Sequence, residues 1–279
     1  MKLYVVTDLE GVAGVYQWDN RDDASRENTE RRARQRRWLA EEVNAMGAGF
    51  RAGGAGEVWI NDGHGAGYTI DIERVEAGVR IEHGVPRPQY CTGLDSSFAA
   101  MGSLGTHAMA LTPNGFLAHT MGGGIRSYSL NGVRVGETGY QAFLAGHFGV
   151  PFVFCAGDLA ACREMEELCP GCVTVPVKLG LGLMCGVTVT PAKARQMIRE
   201  GAEEAVKRIG QVKPLSIQGP VLFRQEWKQP QFDPERPPRY GRVIDSHTHE
   251  IEAEDMVDFM NRMYGFDAEY RLPDIAPGM

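Results

Sequence analysis

Within residues 2–60 the chain runs strand, long helix, glycine-rich stop, strand, and that order leaves few folds open. Lys2-Leu3-Tyr4-Val5-Val6 reads as a strand. From about Ser25 to Ala52, Leu39, Val43, Met46 and Phe50 recur at helical spacing. Gly53-Gly54-Ala55-Gly56 ends that helix, and Glu57-Val58-Trp59-Ile60 reads as a buried strand. Together they form a βαβ unit, the usual way of laying two strands parallel. The expected fold class is therefore α/β. Residues 1–172 are expected to form a three-layer, mostly parallel sheet domain. Residues 173–279 are expected to form a second, smaller α+β domain, with an approximate boundary and segments that interleave.

The later chain supplies the reasons. A strand is expected within Ala100–Thr106, and another over 151–156 that Gly157-Asp158 closes. Asn131-Gly132 between Ile125–Leu130 and Val133–Val135 is a type I′ hairpin signal. Gly136-Glu137 opens a helix running to about Phe148, with Glu137 at its positive end. From about Val173 the pattern changes. Thr190-Pro191 reads as an N-cap and first helical position, for a helix to about Ile209. A strand follows near Pro220–Arg224, and Val243–Ile251 alternates as a strand would. Pro230, Pro234, Pro237 and Pro238 make a stiff loop, Met256, Phe259, Met260 and Met263 form a helix stripe, and Ile275–Met279 are expected to be loose.

The candidate site lies where strands end. Asp8 and Glu10 follow the first strand two residues apart, so strand alternation aims both at the carboxyl edge of the sheet. Two like charges there call for a positive partner, and a divalent cation is the usual one. Two solvated loop acids, or an N-cap plus a surface acid, fit the same pair. His64 follows the second strand in Asn61-Asp62-Gly63-His64-Gly65, and His107 follows Thr106. His119 and Glu137 stand further on. Acids and imidazoles in this mixture suit zinc or a similar first-row ion, and this many donors match two ions sharing a carboxylate better than one.

These residues carry a resemblance. Thr7-Asp8-Leu9-Glu10-Gly11, Glu41-Glu42-Val43-Asn44-Ala45, Asn61-Asp62-Gly63-His64-Gly65, Gly93-Leu94-Asp95, Gly105-Thr106-His107-Ala108, His119-Thr120-Met121 and Asn131-Gly132-Val133-Arg134-Val135-Gly136-Glu137 resemble the signatures of the D-aminopeptidase (DppA) family of zinc metallopeptidases over most of the chain. The resemblance implies two divalent ions per subunit, zinc by preference. Asp8 would bridge them, Glu10 and His64 would complete one site, and His107 and Glu137 the other. His119 matches the family's proposed catalytic histidine. It implies removal of the N-terminal residue from short peptides, possibly containing D-residues, and a homo-oligomer, a decameric ring in the founding case. A hydroxide held between the ions is expected to attack the peptide carbonyl. Either one ion or His119 then steadies the oxyanion, or His119 instead protonates the leaving amine. A related metal-dependent amidase or lactonase, and a peptide-binding protein without activity, are the alternatives.

Composition narrows the partners. A formal charge of -7 and the lack of a basic stripe argue against nucleic acid. The five arginines between Arg31 and Arg37 have acidic neighbours and read as a solvated helix surface. Neither a signal peptide nor a membrane-length apolar run is seen, so no membrane is expected and cytoplasmic residence is the default. The six cysteines read as thiols, and Cys169-Pro-Gly-Cys172 as buried hydrophobes around a turn. His247 and His249 read as strand residues outside the cluster, and His83 and His147 as structural or surface residues. Asp62 either orients His64 or serves its own turn. Asp158 is a helix cap before it is a ligand, and Gly122–Gly124 either a hinge or a bend beside His119. The polar loop between Val15 and Asn28 shapes either the pocket or a subunit contact.

Overall fold

Seven strands make the main sheet, in the spatial order Arg80–Glu82, Glu57–Asp62, Lys2–Thr7, Ala100–Thr106, Phe152–Asp158, Val173–Gly182, Cys185–Thr188. The computed structural model describes residues 1–266 except 234 and 237. In chain order the elements are β1 (Lys2–Thr7), α1 (Arg26–Ala52), β2 (Glu57–Asp62), β3 (Arg80–Glu82), β4 (Ala100–Thr106), β5 (Ile125–Leu130), β6 (Val133–Val135), α2 (Glu137–His147), β7 (Phe152–Asp158), α3 (Leu159–Leu168), β8 (Val173–Gly182), β9 (Cys185–Thr188), α4 (Pro191–Arg208), β10 (Val221–Trp227), β11 (Arg242–Asp245), β12 (Thr248–Ala253) and α5 (Met256–Tyr264). Pro234, Pro237 and the tail Ile275–Met279 lie outside the described residues.

Strands β1, β2, β3, β4, β7 and β8 run parallel, and β9 turns back along β8. Helix α1 presents Leu39, Val43, Met46 and Phe50 to one face of the sheet, where α4 adds Ala194, Ile198 and Ala202. Each fully buried Leu, Val, Ile, Met or Phe among them contributes about 1.5–3 kcal/mol. The other face carries Tyr4, Val6 and Phe152, packed against α2 through Tyr140 and Phe143 and against α3 through Met165. The expected α/β three-layer architecture is present.

A second sheet, wholly antiparallel, has the order β11-β12-β10-β5-β6. It shares the core of that second face, where Tyr128, Phe223 and Ile251 meet Phe259 and Met260 of α5. Sheet membership does not follow the division expected at residue 172. Strands β8 and β9 and helix α4 extend the first sheet and its helical layer, whereas β5 and β6, from the first half, join the second sheet. The interleaving follows from the Asn131-Gly132 hairpin. Both residues have positive φ, 48° and 83°, as a type I′ turn requires, and β5 finds its partner in distant β10.

Local signals held at the helix starts. Ser25 accepts from Asn28 N–H to cap α1, and Thr190 accepts from Lys193 N–H ahead of Pro191 in α4. The single strand expected over Val243–Ile251 is two strands, β11 and β12. Asp245 Oδ1 accepts from His247 N–H at 2.8 Å, and this local turn breaks the run.

Candidate metal centre

In this sheet the chain leaves β1 to one side, toward β2, and returns to the other at β4. The crevice outside the carboxyl ends of β1 and β4 is thus the topological switch point, the place where open α/β sheets bind ligands. Register aligns the strand ends there, Thr7 lying opposite both Asp62 and Leu104. Backbone bonds then hold the following loops together. Asp8 N–H donates to Leu104 O at 2.8 Å, Gly11 N–H to Gly105 O at 2.7 Å, and Gly63 N–H to Thr7 O at 3.0 Å. Gly105 is obligatory. Its φ is +76°, and a Cβ there would collide with the carbonyl of Asp8.

Asp8 and Glu10 lie beyond the last strand residue, in the turn, so strand alternation is not what aligns them. They converge all the same. His64 Nδ1 is 2.9 Å from Asp8 Oδ1 and 3.0 Å from Glu10 Oε2. The other oxygen of Asp8, Oδ2, is 3.1 Å from His107 Nε2, which is 3.5 Å from Glu137 Oε1. Glu137 opens α2, and its Oε1 also accepts from Met121 N–H at 2.6 Å and lies 4.0 Å from His119 Nε2. The rings of His107 and His119 stack, with centroids 4.0 Å apart. All six residues singled out from the sequence thus meet, in two groups of three. Donor atoms of Asp8, Glu10 and His64 lie within 4.8 Å of one another, as do those of His107, His119 and Glu137. The second group includes His119, which the sequence reading kept apart from the ligands.

Several details suit cation binding. Glu10 Oε2 is buried and, among the described residues, makes no hydrogen bond despite its closeness to His64. His107 and His119 each engage Nδ1 with a nearby carbonyl, Ala108 O and Leu117 O, both at 2.9 Å. That contact fixes the tautomer with Nε2 as the lone-pair donor. Burial works against a charged imidazole at His64 and His107. The carboxylates of Glu10, Asp19 and Asp8 outweigh it at His64, and those of Asp8 and Glu137 at His107, holding both well above the usual histidine range. In turn the two imidazoles hold Asp8 well below the usual carboxylate range, although its burial opposes this. Burial likewise opposes the depression of Glu137, which His107 imposes. The imidazoles bind protons where a cation would bind, so loading the site with metal releases protons.

Two supporting groups went unrecognised in the sequence. Asp19, from the polar loop after β1, lies 3.7 Å from His64 Nε2, and Arg32 holds it through an Nε contact of 2.5 Å. Burial opposes its ionisation, but His64 and Arg32 keep it well below the usual carboxylate range. Asp19 thus takes the place considered for Asp62. Asp62 Oδ2 instead accepts from Thr69 and Ile70 N–H and lies 3.2 Å from His83 Nδ1, so it organises its own loop. Arg32 is drawn from the expected solvated surface into this support. No periodicity marks Asp19, because a loop brings it back.

The other group is a buried pair beneath the turn that carries Glu10. Lys178 Nζ donates to Glu10 O and Val15 O, both at 2.7 Å, and Glu42 Oε1 accepts from Ala13 N–H at 3.0 Å. Burial pushes Lys178 down to about 8 and Glu42 up to about 7. The Glu41-Glu42 signature pointed at this position without disclosing its role.

The remaining candidates lie elsewhere. His247 Nδ1 and His249 Nε2 meet the carbonyls of Trp227 and Tyr240 beside the second sheet. Cys169 and Cys172 are buried free thiols. Asp158 caps α3 through Ala160 N–H. The six clustered residues line one cavity of about 340 Å³, whose wall also includes Trp18, Asp19 and Arg21 from the loop after β1. Among the described residues no helix is long and apolar enough to cross a membrane.

A cage of carboxylates and imidazoles at a switch point, open to a cavity of small-peptide size, is the architecture of a metal-dependent hydrolase. Comparison with known proteins agrees. A profile of the peptidase M55 family, D-aminopeptidase, matches residues 1–264. A D-aminopeptidase of Bacillus subtilis (strain 168) is 35% identical over 217 residues, which are 77% of this chain and 77% of that protein. The solved structure of DppA from Bacillus subtilis, described as a Zn-dependent D-aminopeptidase and a self-compartmentalizing protease, superposes with a TM-score of 0.87 at 30% identity, over 94% of this chain and 95% of that one. The chain belongs to the D-aminopeptidase family and is a metal-dependent aminopeptidase, a hydrolase of peptide bonds.

Proposed function

We propose that this aminopeptidase works with two divalent cations per subunit, zinc by preference, and removes the N-terminal residue from short peptides, D-residues included. The observation that carries the two-metal reading is the division of Asp8. Its Oδ1 belongs to the group with His64 and Glu10, and its Oδ2 to the group with His107 and Glu137. Asp8 would bridge, Glu10 and His64 would hold one ion, and His107 and Glu137 the other. Zinc and the D-configuration are supported by what the Bacillus subtilis relatives are described as. Bound ions would polarise the peptide carbonyl and bring the pKa of a water toward about 7.

The protein's own groups account for the rest. Glu10, buried to 3% exposure, and Asp8 fix His64 between them. Asp19 holds the far side of that ring. His119 is the proton carrier. Its Nδ1 is tied to Leu117 O, its ring packs edge-on against Trp18, and Nε2 is the atom left for a proton to reach or leave. From there it protonates the departing amine or steadies the oxyanion.

Assembly into a homo-oligomeric ring, decameric as the family resemblance implies, completes the proposal. Its support is the β8–β9 hairpin, which ends the main sheet at an edge strand and exposes Leu181 at 62% and Val187 at 58%, with Leu183 and Met184 beside them. An apolar edge of this kind invites a partner. The deciding experiment joins elemental analysis of purified protein to hydrolysis of D- and L-aminoacyl amides and dipeptides, with and without chelator. Two ions per subunit and chelator-sensitive cleavage of free-amine peptides are expected. One ion per subunit, or activity on N-blocked substrates alone, would overturn it.

A further inference from the structure

The wall of the cavity includes two arginines, and their situations differ. Arg87 is saturated. Its Nε lies 3.1 Å from Gly84 O and 3.3 Å from Glu82 Oε1, and its Nη atoms donate to Asn61 Oδ1 and Asp62 O, each at 2.5 Å. Among the described residues Arg21 spends only Nε, on Asp19 Oδ2 at 3.3 Å. Among the described residues its Nη1 and Nη2 make no hydrogen bond, and Nη2 rests against Gly65, the residue after His64.

Asp19 does not neutralise this guanidinium. The same carboxylate serves Arg32 and faces His64, so one negative charge is shared among two arginines and an imidazole. What Asp19 does is orient Arg21, gripping Nε and leaving the paired Nη edge, which matches a carboxylate in bidentate fashion. The place is also right. Asp19 Oδ2 stands between the imidazole and the guanidinium, 3.7 Å from His64 Nε2 and 3.3 Å from Arg21 Nε. An extended residue spans about 3.3–3.6 Å, so a peptide cut at the cage presents its terminal carboxylate within a residue or two of that point.

We propose that Arg21 is a specificity-determining residue that receives the C-terminal carboxylate of a short peptide substrate. This rests on the aminopeptidase reading above. It gives the site a reason to prefer peptides that end one or two residues past the scissile bond over longer chains, whose carboxylate lies beyond reach. The loop after β1 therefore shapes the pocket.

The test compares an alanyl dipeptide acid with its C-terminal amide, in the configuration that the enzyme cleaves. For the metal-loaded wild type, kcat/KM is expected to favour the acid. In Arg21→Gln the acid-to-amide ratio falls about tenfold, the scale of a charge-assisted pair at a partly exposed site, and the loss appears in KM. Arg21→Lys keeps the charge without the fork and restores part of the ratio. A second arm measures binding of the same two peptides to His119→Ala protein by calorimetry, with and without Arg21→Gln, and needs no turnover. An unchanged ratio in both arms overturns the role of Arg21. Cleavage of neither peptide by the wild type, with acid-selective binding that Arg21→Gln abolishes, overturns the aminopeptidase reading and leaves Arg21 standing.

Discussion

Replacing Glu42 by Gln should stabilise this protein, and only on the alkaline side. Glu42 sits on α1 with its side chain buried. Oε1 accepts from Ala13 N–H, while Oε2 has no hydrogen-bond partner among the described residues. Burial raises its carboxyl from the usual 4.5 to about 7. The sign follows from proton linkage. A raised folded-state value means that the folded protein holds the proton more tightly than the unfolded chain does. Ionisation therefore costs nothing below the unfolded value, costs progressively more as pH climbs from 4.5 to 7, and reaches its full cost above 7. At about 1.4 kcal/mol per pH unit the interval amounts to about 3 kcal/mol. Gln has the shape of the protonated acid and retains an oxygen for Ala13. Glu42→Gln should match the wild type near pH 4.5 and exceed it by about 3 kcal/mol at pH 8. For a chain of this size that is a rise in Tm of about 6 °C. Thermal unfolding followed by circular dichroism across pH 4.5–8.5 measures the difference directly. A Tm gap that stays constant with pH, or a variant less stable than wild type at pH 8, would refute the argument, since either means that the buried carboxylate is already fully compensated by Lys178.

Further outcomes are expected at the site and at the edge of the sheet. Asp8→Ala should lose both cations by elemental analysis; full metal content in that variant contradicts bridging. His119→Ala should lower kcat by about 10²–10⁴, the usual range for a positioned acid or base, and unchanged turnover with metal retained removes its proposed role. Lys178→Met deletes two hydrogen bonds from a charged donor to Glu10 O and Val15 O. It should cost about 2–5 kcal/mol in chemical denaturation and weaken the Glu10 ion first, which metal titration resolves. Leu181→Lys on the exposed hairpin should shift the sedimentation coefficient toward the monomer while the far-ultraviolet spectrum is kept.

How much was legible before the structure depended on how local the cause was. The βαβ unit, the Asn131-Gly132 turn and the Ser25 and Thr190 caps follow from neighbours within a few residues, and they appear where expected. The strands at Val173–Gly182 and Cys185–Thr188 carry no local sign of which sheet they join. They extend the first sheet because β7 offers an open edge. The break between β11 and β12 depends on one Asp245 side chain folding back on the backbone, which alternation alone does not reveal.

For the site, the residue types were readable, and the wiring was not. Carboxylates and imidazoles placed just after strands announce a cation in a parallel sheet, because every strand end in such a sheet points to the same edge. That reasoning needs only sequence order, and it reached Asp8, Glu10, His64 and His107; His119 and Glu137 were collected with them although neither follows a strand of that sheet. Tertiary structure alone decided that the two oxygens of Asp8 face different partners and that Asp19 rather than Asp62 backs His64. It also put Lys178 and Glu42 beneath the turn of Glu10 and Arg21 in the cavity wall. These are contacts between segments as much as 168 residues apart, set by how layers pack and how strands register, and no pattern of neighbouring residues encodes them.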